Sequence, residues 1–204
     1  MPFVSERFIK VREEKKDAAT TGNDLYLNPS GLSDGQTVRF SPVGGVSLDF
    51  YEIWGRTSEG KPKCLRFSEE PTPKELQQRA EDEGVLLIDN KGNPSKIKQA
   101  LAFWIWNYGT ESVQLFQASQ ATILDTFGSL FSDPDVAENP DGWDFELNRT
   151  GTTFETTRYT VVLKPGRRKG AVASQVNDAW EECRKAGYNL EALLTGGDPT
   201  KQPF

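Results

Sequence analysis

The stretch AFWIWNY, residues 102–108, decides how the chain is read. Trp104, Trp106 and Tyr108 fall at every second position, with Phe103, Ile105 and Asn107 between them. A strand turns alternate side chains to opposite faces, so this segment is apolar on both. One face is a core. The other is either a second buried face, covered by helices inserted elsewhere, or a platform of rings left open to a flat ligand.

Outward from this strand, SVQLFQAS (112–119) is its partner, joined across YGTE (108–111). Upstream, DGQTVRFSPVGG (34–45) gives a turn and a strand that ends at Pro42 and a glycine pair. VSLDFYEIWG (46–55) is a second strand and KCLRF (63–67) a short third one. Thr72 as cap, Pro73 at the first helical position and Glu75 in the first turn start a helix that Gly84 stops. Ile123, Leu124, Phe127, Leu130 and Phe131 keep helical spacing. WDFELNR (143–149) and FETTRYTVVL (154–163) form a hairpin around TGTT (150–153). Residues 174–194 make a final helix with Val176, Ala179, Trp180 and Cys183 on one stripe, and 195–204 read as a flexible tail.

This order predicts a mainly β chain: a small antiparallel barrel with inserted helices and a C-terminal helix. Three regions follow. Residues 1–24 are an arm and linker, 25–165 the β domain, and 166–204 a basic linker, helix and tail.

The chain of 204 residues contains no histidine and two cysteines, Cys64 and Cys183. That excludes His-based triads and His general bases, as well as Cys/His zinc centres with four ligands. No phosphate-binding glycine motif occurs. The acids Asp133, Asp135, Glu138 and Asp141 suggest a calcium loop, but Pro134 and Pro140 interrupt them and the EF-hand spacing is absent. The reading is therefore of a binding protein rather than an enzyme, with no metal and no cofactor. MPFVSERFIKVREEKKD (1–17) has no continuous apolar block, which reads against a secretory signal and for a reducing cytoplasm with free thiols.

Net charge is −6, yet the charges are segregated along the chain. Residues 99–148 hold eight acids and no Lys or Arg, which leaves 24 basic against 22 acidic residues elsewhere. Residues 156–177 hold Arg158, Lys164, Arg167, Arg168 and Lys169 with no acid. A positive groove is compatible with a negative total. Rings and cations also interleave in FYEIWGR (50–56), KPKCLRF (61–67) and the hairpin residues Arg149, Arg158 and Tyr159. Single-stranded nucleic acid asks for this mixture, because cations follow its phosphates while rings stack on its unpaired bases.

DGQTVRF, FYEIWG, LAFWIWNYGTESVQLFQASQATI and NPDGWDFELNRTG with TTRYTVVLKP together resemble the single-stranded DNA-binding proteins of tailed bacteriophages. The resemblance covers residues 34–165 and rests on Trp106-Asn107-Tyr108, Gln117 to Ile123, Arg149 and Tyr159 to Val161. It implies an OB-fold barrel that coats single-stranded DNA, without sequence preference, in phage replication, recombination and repair in the cytoplasm of an infected bacterium. Tyr51, Trp54, Trp104, Trp106 and Tyr108 are then the stacking residues. Arg39, Arg56, Lys61, Lys63, Arg66, Lys96, Lys98, Arg149 and Arg158 are the phosphate contacts. The acidic stretch 125–146 belongs off the DNA path. The resemblance also implies a partner hook at Phe204 that recruits replication proteins, while the basic arm Arg7–Lys16 is placed for self-association along the strand. The rival reading is a protein-interaction module whose aromatic face binds a partner chain.

Overall fold

The computed structural model describes residues 25–153 and 155–201, so the Arg7–Lys16 arm and Phe204 lie outside the described residues. Eight strands form one sheet: β1 (Tyr26–Leu27), β2 (Thr37–Thr57), β3 (Pro62–Phe67), β4 (Val85–Leu86), β5 (Lys98–Asn107), β6 (Ser112–Ala118), β7 (Trp143–Thr150) and β8 (Arg158–Pro165). The helices are α1 (Pro73–Asp82), α2 (Ala121–Phe131), the single turn α3 (Pro134–Ala137) and α4 (Ala171–Lys185). The chain is mainly β with inserted helices and a C-terminal helix, as expected.

The expected antiparallel barrel needs correcting. The main path runs β1-β6-β5-β2-β7-β8, with β3 and β4 also paired to β2, and it does not close. β1 supplies the reason. It pairs in parallel with β6, Tyr26 against Leu115, and Leu115 N donates to Leu25 O at 2.8 Å. The middle of the β6 edge that closure onto β8 would need, Leu115 and Phe116, is taken.

The two upstream strands are one strand of 21 residues. Pro42 and the glycine pair bend it without ending it. The register with β5 shifts between Pro42 and Ser47, a bulge that accommodates a residue without N–H. Gly44 and Gly45 take positive φ, 81° and 63°, at that bend. The bend lets β2 pair with β7 through Thr37–Phe40 and with β3 through Tyr51–Arg56 on the same edge, while β5 runs along the other.

The sheet is buried on both faces by three apolar clusters. Phe40, Phe103, Ile105, Phe116, Phe127 and Phe145 form the principal core, closed by α2. Leu65 and Ile53 pack with Ala80 of α1, whose start is a full capping box between Thr72 and Glu75. The third cluster lies on the opposite side of β5. There Trp104 is 3% and Trp106 2% exposed, packed with Val176 of α4 and with Leu190 and Leu193 of the turn that follows. The Trp104 ring lies 4.9 Å from that of Tyr188 and 6.2 Å from that of Trp180. Each such ring gains about 4–6 kcal/mol gross on burial.

α4 begins at Ala171, three residues earlier than the sequence suggested, and ends at Lys185; the expected helix to residue 194 is broken near Gly187, which has φ 87°. The residues 195–201 are not a loose tail. Pro199 is buried and its carbonyl accepts from Asn189 N at 2.8 Å.

Candidate nucleic-acid interface

The register of β5, β2 and β3 places the candidate interface. Phe50 lies opposite Ala100 in the cluster covered by α4. Two residues further along β2, on the same face, Glu52 lies between Lys98 of β5 and Arg66 of β3. Next come Trp54 opposite Cys64, and Arg56 between Leu86 of β4 and Pro62. The C-terminal segment stops at the Arg66 row, where the Arg66 guanidinium donates to Leu193 O at 3.3 Å. Beyond it the face is open, and Trp54 is 48% exposed. A half-exposed indole thus shares its face with Arg66, Lys98 and Arg56; the Arg66 guanidinium lies 5.9 Å from the Phe50 ring centre, and that of Arg56 donates to Gly60 O at 2.7 Å and Asn90 Oδ1 at 2.6 Å.

This patch opens into a groove of about 790 Å³ whose walls include Tyr26, Glu52, Trp54, Gln117, Tyr108 and Arg167. Glu52, 4% exposed, forms part of the floor, and its Oε2 accepts from Gln117 Nε2 at 3.2 Å and Cys64 Sγ at 3.8 Å. Burial pushes the Cys64 thiol up to about 12, with the neighbouring Glu52 adding to the shift and Arg66 opposing it. At the far end the Arg167 guanidinium sits 5.9 Å from the Tyr108 ring centre.

That end is organised by Asp144, which is fully buried. Its carboxylate accepts from Arg39 Nε at 2.8 Å, Tyr108 Oη at 2.9 Å and the Arg167 amide at 3.2 Å, and it ion-pairs with Arg39 Nη2 at 2.7 Å. Burial, then the bond to Asp144, raise the Tyr108 phenol well above its ordinary range. Three of the eight acids in the acidic stretch are therefore partners in space of the cations beyond it. Asp141 pairs with Arg168 and Glu146 with Lys164, as Asp144 does with Arg39.

Several expected contacts must be corrected. Trp104 and Trp106 cannot stack on nucleotides while α4 and Leu193 cover them; the second face of β5 is a core. Tyr51 points to the opposite face from Trp54, opposite Phe67. Arg149 lies away from the patch and caps the carbonyls of Ser30 and Leu32. Arg158 is exposed but donates to Glu155 O and Thr157 O. Arg39 is held by Asp144, and Lys63 by Glu83 at 3.2 Å on the α1 side. Lys61 is exposed beside Glu59, and Lys96 is exposed just before Lys98. Of the expected set, Trp54, Arg56, Arg66 and Lys98 are brought together, and Tyr108 stands at the other end of the groove.

Tyr26, Glu52, Gln117 and Arg167 line the groove without having been singled out as its contacts. Arg167 lay in a basic run visible in the sequence. Glu52 carried no signal, since a lone acid between two rings has no distinctive spacing. Compared with models of known families, with curated proteins and with solved structures, the chain matches none.

Proposed function

We propose that this chain binds single-stranded DNA, as a phage-type coating protein serving replication, recombination and repair, through the open end of the β5-β2-β3 face. One observation carries the reading: Trp54, half exposed, lines a groove together with Arg66 and shares its sheet face with Arg56 and Lys98 in the neighbouring rows. The cations follow phosphates while the indole stacks on an unpaired base. The five-strand path β6-β5-β2-β7-β8, with a long bent first strand and α2 between β6 and β7, supports an OB-type scaffold. On that scaffold the usual binding surface is the face of the second and third strands, here β5 and β6. α4 occupies part of it, and the proposed path uses the uncovered continuation. Partner recruitment through Phe204 and self-association through the arm remain part of the proposal.

Titration with oligo-dT, read by tryptophan fluorescence at several salt concentrations, tests it. Quenching is expected to come chiefly from Trp54, since Trp104 and Trp106 are sealed. Trp54→Ala is expected to cost about 1–3 kcal/mol of binding. Three phosphate contacts give a slope of log K against log salt of about −2. A salt-independent interaction with protein and no response to DNA favours the partner-binding module instead.

A further inference from the structure

We propose that Glu52 makes the groove discriminate among bases, favouring guanine and disfavouring thymine. This rests on the single-stranded DNA reading above. A carboxylate on the floor of a nucleic-acid groove repels phosphate, so a purely electrostatic coating surface has no use for it. Glu52 Oε2 is engaged by Gln117 and Cys64, whereas Oε1 accepts no hydrogen bond among the described residues. Arg66 and Lys98 lie directly across the strands on either side, yet no ion pair joins Glu52 to a cation among the described residues. The acid is held in place with acceptor capacity left over.

Glu52 and Trp54 share a face two residues apart, about 6.7 Å along the strand. A base lying flat on the indole therefore points one edge toward the carboxylate. Guanine offers two adjacent donors there, N1–H and the N2 amino group, and Oε1, which has two lone pairs unused, accepts from both. Cytosine and adenine each offer one amino group. Thymine offers a single N3–H between two carbonyl oxygens, which the carboxylate repels. The stacking contact accepts any base and the carboxylate adds the preference, in the order guanine, then cytosine and adenine, then thymine.

The test compares all-dT oligonucleotides with ones carrying a single central dG, dI or dA, read by tryptophan fluorescence at fixed salt. In the unaltered protein the dG oligonucleotide is expected to bind at least about fivefold tighter than dT. Inosine, which lacks the N2 amino group, is expected in between. In Glu52→Gln the dG preference shrinks to within about twofold while dT binding holds or tightens, a gain that general damage to the fold does not produce. Equal binding of dG and dT by the unaltered protein, with quenching intact, overturns the base preference and leaves the single-strand reading standing. Persistence of the preference in Glu52→Gln also overturns the assignment, and failure of every oligonucleotide to bind overturns both. The inosine series uses the unaltered protein, so it decides the matter even where the variant does not fold.

Discussion

Removing the Asp144 carboxylate should be among the most damaging single changes in this protein. In Asp144→Ala, Arg39 keeps only Pro165 O, at 2.8 Å, as a partner among the described residues, and the Tyr108 hydroxyl and Arg167 amide lose their acceptor. Breaking a buried ion pair costs about 3–5 kcal/mol because a charge is left unpaired. The Arg39 side chain is 20% exposed, so water recovers part of that. The stranded phenol and amide add about 1 kcal/mol each. A net loss of about 3–5 kcal/mol follows, which at a urea slope of about 2–3 kcal/mol/M lowers the midpoint by roughly 1–2 M. Urea melts of Asp144→Ala, Arg39→Met and the double variant measure this directly. Arg39→Met alone should cost less, and the double variant should be more stable than the sum of the two losses implies, with coupling of about 2 kcal/mol. A loss under 1 kcal/mol, or strict additivity, refutes the account of Asp144 as the charge that holds this end of the groove.

Phe127 of α2, 1% exposed, meets the rings of Phe103, Phe116, Phe131 and Phe145 at 5.3–5.8 Å, so Phe127→Ala should cost about 3–5 kcal/mol in chemical denaturation. Arg149→Ala should lower stability by about 1.5–3 kcal/mol through the lost carbonyl caps, while the salt slope of DNA binding stays unchanged; a shallower slope returns Arg149 to the phosphate contacts. Cys64 alkylation should be slow at neutral pH and accelerate only as pH climbs toward about 12, because burial holds the thiol protonated; a mass-spectrometric rate profile rising near the ordinary thiol range contradicts that.

The alternation of β5 and β6, the capping box of α1 and the closing hairpin were legible because each is written in a short window. What covers a face was not. Trp104 and Trp106 fit a stacking platform and a second core equally well, since alternation specifies the face and not its neighbour. The covering stripe of Val176, Ala179, Trp180 and Cys183 was visible too, but the match between the two lies in tertiary contacts some 70 residues apart in sequence. The glycine at 44 shows the same limit. It reads as punctuation, yet β2 runs through it, and a Cβ there would strike the Trp180 ring. Arg39 and Arg149 illustrate it for charge. Composition marks them as free cations, and only the fold reveals that Asp144 and two carbonyls had claimed them.

β5 has a consequence for how the molecule comes apart. Its odd-numbered residues Phe103 and Ile105 belong to one cluster, while Trp104 and Trp106 belong to another. Neither side can melt without stripping the backbone that the other side leans on. Thermal fluctuation should thus release α4 and the α2 side together only in global opening, with the Ala102–Trp106 amides among the slowest to exchange with deuterated solvent.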